Sequence, residues 1–256
     1  MRSLRLVLRV LPLIIVSIAG VLGSFGAELL RPIHAGLARR WRTRTMRDWG
    51  RCSLWLMGGR LVVQGEEPKG SYFLVSNHLS YLDIAVFSSL VGCHFVSKAE
   101  VKHWPGLGIM ARVSRTIFVK REKKRELGGV LAQMSTVLKD GGSVIFFPEG
   151  TSGGGDELLP FHAPLFAAAA GLSYPLRCAA LNYSTDDGNP HARDAVCWWR
   201  DMDFLPHLGE MLKLSGFTVR VAFGEASYSE ADRKLLARQA EAEVHELFQR
   251  VSEVEA

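Results

Sequence analysis

Two residues five positions apart, His78 and Asp83, have the clearest capacity for chemistry in this sequence. A histidine titrates near neutral pH, so one ring nitrogen can take a proton from a hydroxyl while a carboxylate on the other nitrogen fixes the tautomer. On a continuous helix the two side chains would point about 140° apart, so their contact requires a turn. The chain has eight histidines, which makes the spacing weak evidence when it is taken alone.

A structural role for Asp83 is equally open. Residues 80–83 have the pattern of a helix start, with Ser80 as the N-cap and an acidic residue three positions later. Capping and catalysis are compatible. The sequence therefore predicts that Asp83 begins a helix, and that Asp83 also orients His78 is a hypothesis.

A pair of basic residues, Lys120 and Arg121, follows the apolar run at 116–119. A strand that ends in an arginine can present a bidentate guanidinium to a phosphate or a carboxylate. The basic residues at 123–125 are interpreted as a solvated first turn of a helix. We therefore expect an anion-binding contribution from Lys120 and Arg121 only.

A glycine-rich loop follows the apolar run at 143–147. Glycines allow a substrate to approach the backbone closely, and Glu149 and Thr151 supply polar contacts. The loop lacks the lysine of a P-loop, so nucleotide binding is not expected. Residues 150–154 also fit Gly-x-Ser-x-Gly, which leaves a serine hydrolase with Ser152 as nucleophile as a remote alternative. The glycines after Ser152 favour a flexible loop over the helix that a nucleophile elbow requires.

The scaffold that would position these loops is predicted to be an α/β domain. After residue 58, short β-branched and aromatic runs alternate with helical patterns, which indicates a mainly parallel central sheet of about seven strands flanked by helices. The predicted strands are 61–64, 72–76, 94–97, 116–119, 143–147, 176–181 and 217–223. The predicted helices lie near 81–91, 122–139, 160–170, 204–214 and 230–252, the last with a capping-box pattern at 229–232. In such sheets function gathers at the carboxyl ends of the strands.

The N-terminal segment predicts a membrane anchor. Residues 10–27 carry no charge and follow Arg2, Arg5 and Arg9, a pattern shared by signal peptides and retained anchors. The absence of a clear small-x-small cleavage site favours retention. About 18 apolar residues is near the lower limit for crossing a bilayer, so the helix either spans it or lies in one leaflet. We expect residues 1–57 to form the anchor and a basic interfacial helix, and 58–256 the catalytic domain.

Arginines dominate the stretch that follows the anchor. They include four at helical spacing, which would share one face, namely Arg40, Arg44, Arg47 and Arg51. The interleaved Trp41, Trp49 and Trp55 suit a membrane interface, so lipid phosphates are the expected partner and nucleic acid is not. A solvated charged face is the alternative.

The cysteines give no sign of cross-linking or metal binding. Cys52, Cys93, Cys178 and Cys197 are widely separated and contain no Cys-x-x-Cys pair. Neither a zinc site nor a disulfide framework is expected, and a reducing, cytosolic setting is the simpler interpretation.

Taken together and in order, these segments resemble the glycerolipid acyltransferase family typified by lysophosphatidate acyltransferase, over most of the chain after about residue 60. Residues 77–83 match its Asn-His-x-x-x-x-Asp block, and 117–121 resemble its acceptor-binding block. Residues 147–151 match its Phe-Pro-Glu-Gly-Thr block, and 174–176 are similar to its fourth block. The first and third blocks together are the most specific part of the resemblance.

The resemblance implies an enzyme that acylates a lysolipid hydroxyl. His78 would be the general base and Asp83 would orient it, with acyl-CoA or acyl carrier protein bringing the acyl thioester as a co-substrate. Neither a metal nor a bound cofactor is then expected. Substrate contacts would fall to Asn77, Ser80, Lys120, Arg121, Glu149, Gly150 and Thr151. The family further implies membrane association, here expected at the cytoplasmic face of the inner membrane.

Two departures from the family pattern bear on the acceptor. Many members have an arginine where this chain has Ser152 and a glycine where it has Arg115. The missing arginine makes an acceptor without phosphate credible, and 147–166 with 199–203 also resemble the lyso-ornithine lipid acyltransferase branch. The sequence narrowly favours 1-acylglycerol-3-phosphate, which would give phosphatidic acid, over lyso-ornithine lipid. A lipid-binding membrane protein without catalysis is a third class.

Overall fold

A seven-stranded sheet forms the centre of the protein, for which the computed structural model describes residues 2–104, 106–119, 127–171 and 174–253. The strands are β1 (Gly59–Gln64), β2 (Phe73–Ser76), β3 (Cys93–Lys98), β4 (Ile117–Val119), β5 (Ser143–Phe146), β6 (Leu176–Thr185) and β7 (Phe217–Phe223). Their order is β1-β7-β6-β2-β5-β3-β4, and only the β6–β7 pairing is antiparallel. The predicted α/β class with a mainly parallel sheet is confirmed.

Helices cover both faces of this sheet. They are α1 (Arg2–Leu30), α2 (Ala35–Met57), α3 (Leu82–Leu90), α4 (Leu107–Val113), α5 (Leu127–Lys139), α6 (Phe166–Gly171), α7 (Ala192–Ala195), α8 (Phe204–Met211) and α9 (Arg233–Ser252). One core, which includes Phe87 and Met211, packs under α3 and α8; the other, which includes Met134 and Val244, packs under α5 and α9. Every residue of β2 and β5 is buried, as expected for parallel strands covered on both sides.

The strand predictions are close to the observed strands, and the helix predictions differ at several ends. Strand β6 continues to Thr185, four residues beyond the predicted end. Helix α6 begins only at Phe166, after a 3-10 turn, and α8 ends at Met211. The short helices α4 and α7 were not predicted, and residues 122–126 of a predicted helix lie outside the described residues.

The start of α9 corrects the predicted capping box. The helix begins at Arg233 and its N-cap is Asp232, whose carboxylate accepts from the Lys234 and Leu235 amides at 2.7 and 3.4 Å. Aspartate caps as well as serine does, and Asp232 stands directly before the apolar face that packs on the sheet. Ser229 therefore lies outside the helix.

Helices α1 and α2 form an antiparallel hairpin. Gly20, Ser24 and Ala27 are buried against α2, and a Cβ at Gly20 would come within 3.0 Å of Trp49. The opposite face of α1 exposes a row of large apolar side chains from Leu4 to Leu29. By length and composition α1 could cross a membrane, a test that a signal sequence also passes. The division of the chain at residue 57 stays a prediction.

Candidate active site

The loop between β2 and α3 brings the two predicted catalytic side chains together. His78 Nδ1 lies 2.7 Å from Asp83 Oδ2, because the chain turns after β2 before α3 begins. The Asp83 carboxylate is fully buried, whereas the His78 side chain is 22% exposed. A carboxylate accepts this hydrogen bond, so Nδ1 is the donor and Nε2 is the ring nitrogen that is available to a substrate hydroxyl.

Asp83 is held by four donors. Besides His78, its Oδ2 accepts from the amides of Leu79 and Ser80 at 2.7 and 3.1 Å, and its Oδ1 accepts from the Tyr183 hydroxyl at 2.6 Å. An acceptor with this many donors is fixed in position.

The predicted Ser80 cap is wrong. Helix α3 has Tyr81 as its N-cap and no side-chain cap bond, and the Ser80 hydroxyl is buried without a hydrogen-bond partner among the described residues. Asp83 accepts from the Leu79 and Ser80 backbone amides ahead of the helix, so only the acidic half of the predicted capping pattern is formed. Asp83 therefore organises the loop and contacts His78 at the same time.

Tyr183 is a site residue that the sequence did not indicate. It lies on β6, the neighbour of β2, and reaches Asp83 from 100 positions away in the chain. Burial and the adjacent Asp83 charge raise the pKa of the Tyr183 hydroxyl well above its usual value. The hydroxyl therefore stays protonated and serves as a donor at all physiological pH values.

The loop after β5 holds His78 from the other side. The His78 amide donates to Glu149 Oε2 at 3.4 Å, and its carbonyl accepts from the Gly153 amide at 2.8 Å. The imidazole stacks on Phe147 with 4.3 Å between ring centroids and 13° between planes. Because β5 pairs with β2, the two sequence blocks that were singled out separately form one interlocked unit.

The Glu149 carboxyl is neutral in this setting. It is 4% exposed, and burial, together with the nearby Asp83 charge, raises its pKa to about 8, against the opposing effect of the His78 and Leu159 amides. Its Oε1 is buried and lacks a partner within the described part of the chain. The raised pKa of Glu149 therefore favours its uncharged form at pH 7.

The remaining predicted contacts fall into three groups. The Asn77 amide forms two 2.9 Å hydrogen bonds with the Leu181 backbone and is buried, so it positions the loop between β2 and α3. Gly150 adopts φ +75°, which favours glycine, and Thr151 is exposed. Lys120 and Arg121 lie outside the described residues. Direct substrate contact by any of these residues, or by the buried Ser80, stays a prediction.

Ser152 is not placed as a hydrolase nucleophile. Its hydroxyl donates to the Trp198 carbonyl, and β5 is followed by a long loop instead of the helix that a nucleophile elbow needs. The serine-hydrolase alternative is therefore not supported.

The segment between β6 and α8, residues 186–203, which includes α7, lies next to His78. The Trp198 amide donates to the Leu79 carbonyl at 2.8 Å, next to His78. The adjacent Trp199 ring is flanked by the guanidinium groups of Arg193 and Arg200, at 4.3 and 4.0 Å from its centroid. Arg193, which the sequence did not single out, also pairs with Asp156 of the glycine-rich loop. Cationic and aromatic groups thus adjoin the loop that carries His78.

Comparisons with known proteins agree with this arrangement. Residues 60–181 match the family model described as Acyltransferase. The lyso-ornithine lipid O-acyltransferase of Rhizobium meliloti is 37% identical over 78% of this chain and 72% of its own length. The protein of the same name from Brucella abortus is 33% identical over 83% and 85%. A 1-acyl-sn-glycerol-3-phosphate acyltransferase of Neisseria meningitidis is 32% identical over 62% and 60%.

The fold has a solved counterpart as well. The crystal structure of the 1-acyl-sn-glycerophosphate acyltransferase of Thermotoga maritima superposes with a TM-score of 0.72 over 98% of both chains, at 18% identity. At that identity the likeness concerns the fold alone. Sequence relatives that are matched over most of their length settle the family. This chain is a member of the acyltransferase family.

Proposed function

We propose that this acyltransferase moves a fatty acyl group from an acyl thioester to the hydroxyl of a lysolipid, with His78 as the general base. The observation that carries the proposal is the 2.7 Å contact between His78 Nδ1 and the buried Asp83 carboxylate. General bases placed in this way contribute about 10²–10⁴ to the rate.

In the proposed reaction, Nε2 of His78 takes the proton of the acceptor hydroxyl as its oxygen attacks the thioester carbonyl. Asp83 stabilises the resulting imidazolium. When the tetrahedral intermediate collapses, the carbon–sulfur bond breaks, and His78 returns the proton to the departing thiolate. The products are an ester and a free thiol, so His78 ends the cycle neutral.

The surroundings of the pair support this role. Tyr183 and two loop amides hold Asp83 in a single orientation. A neutral Glu149, with a pKa of about 8, avoids a second negative charge that would compete with Asp83 for the imidazolium. The stacked Phe147 ring restricts the imidazole to one plane.

We propose lyso-ornithine lipid as the first acceptor to test, and 1-acylglycerol-3-phosphate as the alternative. The relatives matched over 72% and 85% of their own length bear the former name. Ser152 stands where many family members have an arginine, and Arg193 and Arg200 at the rim could meet the carboxylate of an amino-acid lipid. This order reverses the narrow preference drawn from the sequence.

The donor is proposed to be acyl-CoA or an acylated carrier protein, with no bound cofactor. We further propose that α1 lies in one leaflet at the cytoplasmic face of the membrane. Two features support this arrangement: the packing of α1 along α2, and the hydrogen bonds from Arg9 Nη1 to the Leu212 and Leu214 carbonyls at 3.1 and 2.8 Å. Both tie α1 to the body of the protein.

An acceptor panel tests the proposal. Purified full-length protein is given lyso-ornithine lipid or lysophosphatidate, each with labelled acyl-CoA and with labelled acyl carrier protein. We expect transfer to lyso-ornithine lipid to have the higher kcat/KM, and the Ser152→Ala variant to retain activity. A preference for lysophosphatidate would assign the alternative, and absence of transfer in every combination would contradict the proposal.

A further inference from the structure

A basic cavity lies at the amino ends of the parallel strands. His78 lies at the opposite, carboxyl ends of these strands. The cavity opens between α2 and the segments that precede β2, β3 and β5, and its volume is about 400 Å³. Its cationic wall consists of five arginines of α2, namely Arg39, Arg40, Arg44, Arg47 and Arg51. Strand β2 alone, four residues long, separates this end of the sheet from the loop that carries His78 by about 13 Å. The cavity is therefore a separate site.

The positive charge in this cavity is only partly neutralised. Arg44 pairs with Asp48 at 2.9 Å and Arg47 with Glu67 at 3.5 Å. Arg39 donates to the Gly141 carbonyl, which leaves its charge in place. Arg40 and Arg51 form no ion pair with any described residue. Five guanidinium groups thus face two carboxylates, an excess that attracts an anion into a concave site.

The apolar surface of the hairpin adjoins the arginines of this cavity along α2. The turn between α1 and α2 exposes Ile33 by 83%, and Leu37 and Trp41 are each 44% exposed at the start of α2. Trp41 directly follows Arg40 and also contacts α1 at Gly26. Guanidinium groups beside an exposed tryptophan and aliphatic side chains match the two chemical layers of a membrane surface.

We propose that this cavity binds the phosphate head group of an anionic phospholipid that is not a substrate, with the acyl chains of that lipid lying along Leu37, Trp41 and the exposed face of α1. Arginine binds phosphate through paired hydrogen bonds. The adjoining apolar surface favours a lipid over a free phosphate ion, and the concave shape favours a head group over the convex acidic face of a partner protein. The inference extends the proposed membrane docking and does not depend on the reaction.

Vesicle binding by full-length protein tests this site. Partitioning onto vesicles of phosphatidylcholine alone is compared with partitioning onto vesicles that also contain phosphatidic acid. The test variant combines Arg40→Gln with Arg44→Gln. The control combines Arg233→Gln with Arg238→Gln, two exposed arginines of α9, and changes the net charge equally. Each arginine near an anionic surface contributes about fivefold, so we expect the test variant to bind the anionic vesicles roughly thirtyfold more weakly.

The expected pattern is specific to the cavity. The test variant should lose the gain that phosphatidic acid gives, whereas the control variant should keep most of it and both should bind neutral vesicles as the unmodified protein does. If both variants lost binding to the anionic vesicles equally, the effect would depend only on net charge, and the proposal would be overturned. Protection against thermal unfolding by inorganic phosphate, without a gain on anionic vesicles, would also overturn it in favour of a free-phosphate site. The proposal would also be overturned if the test variant lost binding to acyl carrier protein while its binding to vesicles stayed intact. Acyl transfer in detergent solution, measured in parallel, reports separately on the proposed function.

Discussion

Charged groups are arranged differently at the two ends of the parallel strands, which we call the carboxyl edge and the amino edge of the sheet. At the carboxyl edge, Asp83 is fully buried and its oxygens accept four hydrogen bonds, and Glu149 is neutral. At the amino edge, the arginines of α2 line an open cavity with few carboxylate partners.

At the carboxyl edge the structure fixes the positions of individual atoms, whereas at the amino edge it provides an excess of positive charge that attracts an anionic partner. Proton transfer needs fixed atoms, and short hydrogen bonds inside a dry core provide them. Attraction to a charged partner needs only an excess of charge near solvent. Substitutions at the carboxyl edge should therefore change the rate steeply, and substitutions at the amino edge should leave the rate almost unchanged.

Among the substitutions that leave His78 in place, the largest effect is expected from Asp83→Asn. The asparagine keeps the shape of the side chain, but it cannot stabilise an imidazolium, and its amide group meets the Leu79 and Ser80 amides that now donate to Oδ2. We expect kcat to fall about 10³–10⁴-fold. Steady-state acyl transfer checks this, with circular dichroism to verify folding. The exposed Asp140→Asn is the matched control, and a decrease of similar size in both variants would contradict the account.

A smaller loss is expected from Tyr183→Phe. The change removes one donor, the hydroxyl at 2.6 Å from Asp83 Oδ1, and leaves His78 and the loop amides in place. A hydrogen bond to a charged group contributes about 1.5–3 kcal/mol, so we expect kcat to fall about tenfold or more, with KM unchanged. Kinetics of Tyr183→Phe and of the control Tyr174→Phe distinguish a role of the hydroxyl in orienting Asp83 from a purely structural role. A purely structural role would lower the melting temperature without this change in kcat.

The Glu149→Gln variant should differ from the unmodified protein mainly in its response to pH. The folded-state pKa of Glu149, about 8, lies above its ordinary value of 4.5, so the native state binds this proton more tightly than the unfolded chain. The contribution to stability is therefore complete below pH 4.5 and is lost as the pH rises through 8. Melting temperatures between about pH 6 and pH 9 should decline less in the glutamine variant. Parallel curves would show that Glu149 is already charged.

The smallest effect on the rate is expected at the amino edge from Arg42→Met. The buried Arg42 contacts His94 Nε2 at 3.0 Å, and burial together with the Arg115 charge lowers the pKa of Arg42 to about 10. The methionine leaves the buried His94 Nε2 without its hydrogen-bond partner, so we expect a loss of about 1–3 kcal/mol in unfolding free energy. The rate should stay within about twofold. Denaturant titration and kinetics measure both quantities, and a large loss of kcat would remove the contrast between the edges.

The sheet was predictable because its strands are short runs of apolar and β-branched residues, several of which begin after a glycine. The observed β7 even has the predicted bounds, Phe217–Phe223. Helix α7, four residues long, was not predicted because one turn carries no periodicity. The end of β6 was missed because Asn182, Ser184 and Thr185 are polar, and only their pairing with β7 makes them a strand.

The motifs of the candidate site were predictable from the sequence, but the hydrogen bonds that link their residues were not. Residues 77–83 and 147–151 stand out by type and spacing, and their contact follows from the adjacency of β2 and β5. The Tyr183–Asp83 bond could not be foreseen, because a tyrosine 100 positions away has no local signal. The Ser80 cap failed because a local pattern cannot show that the Ser80 hydroxyl is buried without a partner among the described residues while Asp83 accepts from the Leu79 and Ser80 amides.

The central claim is that His78, oriented by Asp83, is the base in acyl transfer, and one measurement tests it most directly. Initial rates of transfer from a labelled acyl thioester to lyso-ornithine lipid and to lysophosphatidate are compared for the unmodified protein, His78→Ala and the exposed control His103→Ala. We expect His78→Ala to lose about 10²–10⁴ in rate on the preferred acceptor while remaining folded and bound to membranes, and His103→Ala to match the unmodified protein. Full activity in folded His78→Ala would contradict the account.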